Sequence, residues 1–223
     1  MFVANKVKNS SWKNYYLDCV NQGCLQDLQY KFESLPLDTY TQGFYRYRRF
    51  SRFSVTGSNI TRMPHSTFSQ NLYNNRLLGG IQRDYQELNE DIVRERHFVS
   101  LLIKFSSYCQ IQSDIQSIEI GVHQIRITCS SRQPGNPTPE GIHRDGVDTI
   151  GILCVNRHTI EGGVTSLFYP DWDSLIFQEE LHPGQLLIVD DKRLWHHTSP
   201  IKPVLFSDEG FRDVLVFTYS TAS

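Results

Sequence analysis

Ile118-Glu119-Ile120-Gly121-Val122-His123-Gln124-Ile125-Arg126-Ile127 alternates apolar with polar residues, the two-residue period of a strand with a buried face. Read from its start, the even positions Ile118, Ile120 and Val122 form the core face and continue as Gln124 and Arg126. An amide and a guanidinium then point into the interior, where polar groups are costly unless something pairs with them. The other reading is a β-bulge that resets the phase and turns Ile125 and Ile127 inward. The run spans 117–128, and further strand-like runs follow at 149–157, 163–169, 185–190 and 213–219, separated by Pro, Gly, Asp and Asn.

The first half reads differently. Trp12, Tyr15, Tyr16, Cys19 and Val20 recur at helical intervals after Ser10-Ser11, which predicts a short amphipathic helix. A longer helix is expected from the N-cap Asn89, with Glu90 and Asp91 in its first turn, through Ile92, Val93, Val99, Leu102, Ile103 and Phe105. Between them, Tyr45-Arg46-Tyr47-Arg48-Arg49-Phe50-Ser51-Arg52-Phe53 alternates aromatic and basic residues and reads as a strand with aromatics inward and arginines outward. Residues 64–80, rich in Asn, Ser and Gly, read as loop. Helices followed by several short strands predict an α+β domain with an antiparallel sandwich or barrel. One domain is expected over 1–223: a mainly helical elaboration with a basic and aromatic strand over 1–115, and the β core over 116–223.

Composition narrows the partners. The 22 basic and 24 acidic residues leave a formal net charge of −2, which gives no electrostatic reason to expect nucleic acid or a membrane surface. No apolar run reaches the roughly 18 residues of a membrane span, and the first residues lack the apolar core of a secretory signal. The five cysteines (Cys19, Cys24, Cys109, Cys129, Cys154) form no CxxC pair and are odd in number, against both a disulfide framework and a cysteine zinc site. A cytoplasmic protein with a small-molecule partner is expected.

Chemistry enters with Glu140-Gly141-Ile142-His143-Arg144-Asp145-Gly146. In an extended segment His143 and Asp145, two residues apart, leave the backbone on the same side and can converge on one metal ion. A further histidine is available in Asp190-Asp191-Lys192-Arg193-Leu194-Trp195-His196-His197, directly after a strand-like run. Two histidines and one carboxylate on one face of Fe(II) leave positions open for substrates and dioxygen. On the last strand, Arg212, Val214, Val216 and Thr218 share one face, so an arginine suited to a carboxylate stands at the mouth of an apolar lumen. Its alternative is an edge arginine paired with Asp208, Glu209 or Asp213.

The ordered set of these segments resembles the Fe(II)- and 2-oxoglutarate-dependent dioxygenases, within them the bacterial group typified by L-isoleucine hydroxylase. The resemblance runs from about residue 45 to the end through Tyr47-Arg48-Arg49-Phe50-Ser51, His123-Gln124-Ile125-Arg126, Pro139 to Gly146, Asn156-Arg157, Gly162-Gly163, Asp190 to His196, Pro200-Ile201 and Arg212 to Val216. It implies a double-stranded β-helix (jelly-roll, cupin-like) core buttressed by N-terminal helices. It further implies His143, Asp145 and His196 as iron ligands, with Pro200-Ile201 favouring His196 over His197. Arg212 would then hold the far carboxylate of 2-oxoglutarate, with Gln124 a second cosubstrate contact, and Arg126 and Glu140 candidate substrate contacts. The remaining histidines, His65, His97, His123, His158 and His182, are expected to be surface or packing residues. The implied reaction uses Fe(II), 2-oxoglutarate and O2 to hydroxylate an unactivated C–H bond of a free L-amino acid or small derivative, releasing succinate and CO2. A desaturase or cyclising oxidase would share these residues. A non-catalytic metal-binding jelly-roll module and a zinc-dependent hydrolase are the rivals from other classes. The loops at 56–80 and 130–139 are the expected covers of the substrate.

Overall fold

The computed structural model describes residues 14–21, 23–110 and 117–221. The chain opens with β1 (Tyr15–Cys19), α1 (Gly23–Gln29) and a 3-10 turn (Tyr30–Phe32), then forms a hairpin of β2 (Arg46–Thr56) and β3 (Asn59–Arg62). Two helices follow, α2 (Glu90–Val93) and α3 (Arg96–Gln110), before the long β4 (Ser117–Ser130). The rest is strand: β5 (Thr149–His158), β6 (Ile160–Gly162), β7 (Val164–Phe168), β8 (Leu175–Glu180), β9 (Gln185–Asp190), β10 (Trp195–Thr198), β11 (Ile201–Pro203) and β12 (Glu209–Tyr219).

An antiparallel sheet of order β1-β9-β5-β12-β4-β2-β3 carries the fold, facing smaller antiparallel layers β10-β7-β8 and β11-β6. Both of its faces are buried. The helices press Leu28, Phe32, Ile92, Phe98, Leu102 and Phe105 onto one face through Phe53, Val55, Ile118, Ile120, Val122, Leu153 and Phe217. On the other face Ile150, Ile152, Leu187 and Val189 pack with Leu167 and Phe177 of the small layer, and Ile125, Ile127 and Val214 with Ile201. No helix among the described residues is long and apolar enough to cross a membrane.

Several expectations give way here. Tyr15–Cys19 is a strand paired with β9 (Tyr15 opposite Val189, Cys19 opposite Gln185), not part of a helix. Its side chains alternate: Tyr15 meets Phe177 on the lumen side, whereas Tyr16 meets Tyr108 and Asp18 bonds Tyr108 and Lys104 of α3. Aromatic partners lie on both faces, so aromatics at helical spacing are equally at home on a strand. The expected N-cap Ser10-Ser11 and Trp12 lie outside the described residues. The helix expected from Asn89 is broken at Arg94-Glu95, because a continuous helix would place Ile92 about 120° around the axis from Phe98, and both are fully buried. The described residues of the 1–115 segment are not mainly helical. They contribute β1, β2 and β3 to the same sheet as the second half, with β2 lying directly against β4.

The phase of β4 is the correction with most consequence. It pairs with β2 and β12 without a register shift, so no bulge intervenes. Its even residues nonetheless face the helices, and its odd residues His123, Ile125 and Ile127 face the lumen. The same parity turns Arg46, Arg48 and Phe50 of β2 inward, the reverse of arginines out.

Candidate metal centre

His143 and Asp145 lie on the loop between β4 and β5, and His196 on β10, yet backbone bonds join the two segments. His143 N–H donates to His196 C=O at 3.0 Å and His196 N–H to His143 C=O at 2.9 Å. Asp191 fastens the loop from below: its carboxylate accepts the backbone N–H groups of Asp145 (3.1 Å), Gly146 (2.7 Å) and Val147 (3.0 Å). Gly146 is required at that turn, since its φ is +81° and a Cβ would stand 1.9 Å from Asn74 Nδ2.

One ligand atom from each of His143, Asp145 and His196 fits within 4.8 Å of the others. His143 Nδ1 donates to Gly141 C=O at 3.0 Å, which fixes the tautomer and leaves the Nε2 lone pair 3.7 Å from Asp145 Oδ1. His196 Nδ1 lies 3.7 Å from Asp191 Oδ1, which turns Nε2 toward the cluster. Burial, and then the neighbouring His143, hold His196 well below the ordinary histidine range, so it is a neutral imidazole with a lone pair to give. His197 points away from the cluster and stays half-buried. Burial and the Asp145 charge push Asp191 up to about 7 against the pull of its three N–H donors. Asp145 itself is held by Gln70, whose Nε2 donates to Oδ1 at 2.9 Å and whose Oε1 accepts from Arg83 Nη2 (2.8 Å) and Asn75 Nδ2 (3.1 Å). Glu140 stands beside them, Oε1 3.4 Å from His143 Nε2.

These groups line one cavity with Arg212, Arg48 and an apolar wall of Ile152, Val214 and Val216. Arg212 is 2% exposed, its Nε and Nη2 have no hydrogen-bond partner, and no carboxylate pairs with it among the described residues. The edge ion pair with Asp208, Glu209 or Asp213 is therefore not formed. Loop residues Phe68, Gln70 and Leu78 on one side, and Pro137 and Thr138 on the other, close the walls, although 59–62 of the first expected cover form β3.

Two expected site residues lie elsewhere. Gln124 faces the helices and donates from Nε2 to Lys31 C=O at 2.8 Å. Arg126 forms a bidentate pair with Asp213 at 2.7 and 2.8 Å and lies over the Phe211 ring, on that same outer face. Conversely, His123, expected as a surface or packing residue, and Arg48, Gln70, Arg83 and Asp191, to which the sequence assigned no site role, belong to the cavity or its support. The first two share an inward parity that an alternating pattern alone could not assign, and the next two sit in polar loop.

The chain matches the model of a protein family described as 2OG-Fe dioxygenase over residues 29–218. The chain belongs to that family. As a 2OG-Fe dioxygenase it uses Fe(II), 2-oxoglutarate and O2. It is 27% identical over 202 residues to a 3(1)-hydroxy-L-isoleucine 4-dioxygenase of Pantoea ananatis, covering 87% of this chain and 80% of that protein. It is 22% identical over 206 residues to an L-isoleucine-4-hydroxylase of Bacillus thuringiensis, covering 90% and 84%. A bsmA homolog from Methylobium petroleophilum PM1 superposes with a TM-score of 0.80 at 24% identity, covering 95% of this chain and 90% of that one. The fold of this dioxygenase is thus the double-stranded β-helix. Two imidazoles and one carboxylate converging within 4.8 Å are a donor set that fits Fe(II), and the partnerless Arg212 guanidinium fits a carboxylate.

Proposed function

We propose that this dioxygenase hydroxylates an unactivated C–H bond of a free L-amino acid or a small amino-acid derivative. The observation that carries the reading is a partnerless, buried Arg212 in the same cavity as the His143, Asp145 and His196 cluster. His143, Asp145 and His196 would hold Fe(II), and Arg212 the far carboxylate of 2-oxoglutarate. The bound iron and 2-oxoglutarate supply oxidation of a C–H bond by O2, with succinate and CO2 as by-products. The remaining work belongs to this chain's own residues. Gly141 C=O and Asp191 orient the two imidazoles, Gln70 holds the carboxylate, and Ile152, Val214 and Val216 keep water from the place where an aliphatic side chain would lie. Such positioning is the protein's main contribution when a cofactor carries the chemistry. The relatives named for hydroxy-L-isoleucine and L-isoleucine support the substrate class.

The test is succinate release by iron-loaded protein across the free L-amino acids, with mass detection of the product. An aliphatic amino acid is expected to raise succinate formation and return one oxygen atom heavier. Succinate that stays at its amino-acid-free rate with every member, and with their simple derivatives, would remove the substrate assignment.

A further inference from the structure

Four arginines reach the cavity, and they differ in what holds them. Arg46 is neutralised by Asp38 (Nε to Oδ2 3.3 Å) and donates to Pro137 C=O at 2.9 Å. Arg212 is the proposed cosubstrate arm. Arg48 and Arg83 are 6% and 1% exposed, and neither forms an ion pair among the described residues. Their contacts are neutral. Arg48 Nη2 lies 2.7 Å from His123 Nδ1, its guanidinium is 4.6 Å from the Tyr85 ring centre and 5.3 Å from Phe68, and Arg83 stacks on the same Phe68 at 4.6 Å. The Nε atoms of both have no partner. Burial, reinforced by Arg48, keeps His123 neutral, so with Nδ1 accepting from Arg48 its proton sits on Nε2, which is also buried without a partner.

Aromatic faces, a neutral imidazole and, for Arg83, the neutral Gln70 Oε1 at 2.8 Å do not discharge two buried cations, and a buried charge without a counter-ion is costly. An anion would supply what is missing. The position is also distinct from that of Arg212. Arg48 lies opposite Ile125 on one side of β4, and Arg212 opposite Ile127 on the other, so their strands are separated by about 10 Å, two inter-strand spacings. The two arginines therefore enter the cavity from different strands, one on each side of β4.

We propose that Arg48 and Arg83 form the subsite for the α-carboxylate of the substrate. This rests on the amino-acid reading above. Arg126, by contrast, is committed to Asp213.

The experiment uses protein loaded with Fe(II) and 2-oxoglutarate under anaerobic conditions and follows the visible charge-transfer band of that complex. The band is titrated with free L-amino acids, their carboxamides and the matching carboxylic acids without the amino group. Carboxylates are expected to perturb the band, with carboxamides weaker by about tenfold or more. Arg48→Met should erase that preference and leave the 2-oxoglutarate midpoint unmoved, and Arg48→Lys should restore part of it. Amides that bind as well as acids, or no binding by any carboxylate, would overturn the subsite on the unaltered protein, whatever the variants do. A 2-oxoglutarate midpoint that rises with Arg48→Met would overturn it too, by giving the arginine to the cosubstrate. Binding by the amine-free acids alone would leave the subsite standing and sink the amino-acid reading.

Discussion

The two ends of the cavity are finished to different degrees. Around Asp145 the protein completes most of its own polar groups: Asp191 takes three backbone N–H donors, Gly141 C=O takes His143 Nδ1, and Gln70 occupies Asp145 Oδ1, while His196 Nδ1 is left 3.7 Å from Asp191 Oδ1 without a hydrogen bond. Around the arginines it does not, since Arg48 Nε, Arg83 Nε, Arg212 Nε and Nη2, and His123 Nε2 are buried with no partner. Buried polar groups are nearly always satisfied, so an orphan cluster is informative. In the proposed reading the first end holds a small cation in a fixed geometry, and the second is completed by anions that come and go.

The largest expected break in that comparison is His143→Ala. It removes one of three donors and the ring whose tautomer Gly141 fixes, so the Fe(II) and 2-oxoglutarate charge-transfer band should vanish along with succinate release. A band of unchanged intensity in fully iron-loaded variant would show that His143 is not a ligand. Arg212→Met comes next and acts on the other end. It should raise the 2-oxoglutarate concentration for half-maximal succinate release by roughly tenfold to a hundredfold, the worth of a charge-assisted bond, while metal content stays normal. An unaltered requirement would mean that Arg212 serves something else.

Asp191→Asn probes the finished end more gently. The amide keeps one oxygen acceptor and replaces the other with a donor, so the loop carrying His143 and Asp145 loses either the Asp145 N–H bond made at Oδ1 or the Gly146 and Val147 N–H bonds made at Oδ2. Metal affinity is expected to fall about tenfold, the low end for residues that orient ligands. Competition with a fluorescent chelator would measure it, and wild-type affinity would show that the backbone bonds to His196 alone hold the loop.

What was legible in the chain follows the same physics. The strands β4, β5, β7, β9 and β12 announced themselves by branched apolar runs, and the inward Arg212 followed correctly from the parity of its strand. Parity failed on β2 and β4 because it assigns residues to two faces without saying which face is the lumen. In an ordinary half-exposed sheet the apolar face is the core, but here the apolar face meets helices and the face bearing Arg46, Arg48 and His123 is also buried. Asp191 was visible as a residue and invisible as an anchor, because its partners are backbone N–H groups some 45 positions away that carry no side-chain signature.

The smallest expected effect tests that inversion directly. Gln124 is 1% exposed and spends its Nε2 on Lys31 C=O, tying β4 to the 3-10 turn beneath the helices. Gln124→Met fills similar volume but strands that carbonyl, which should cost about 1 to 2 kcal/mol of stability and lower Tm by a few degrees, on the order of 2–4 °C per kcal/mol for a chain of this size. The Arg212 end should not register the change, since a strand separates the two faces. The 2-oxoglutarate midpoint of the variant should therefore match the wild type even as its thermal transition moves. A midpoint that shifted as strongly as in Arg212→Met, with no loss of stability, would return Gln124 to the lumen and reverse the assignment of the two faces of β4.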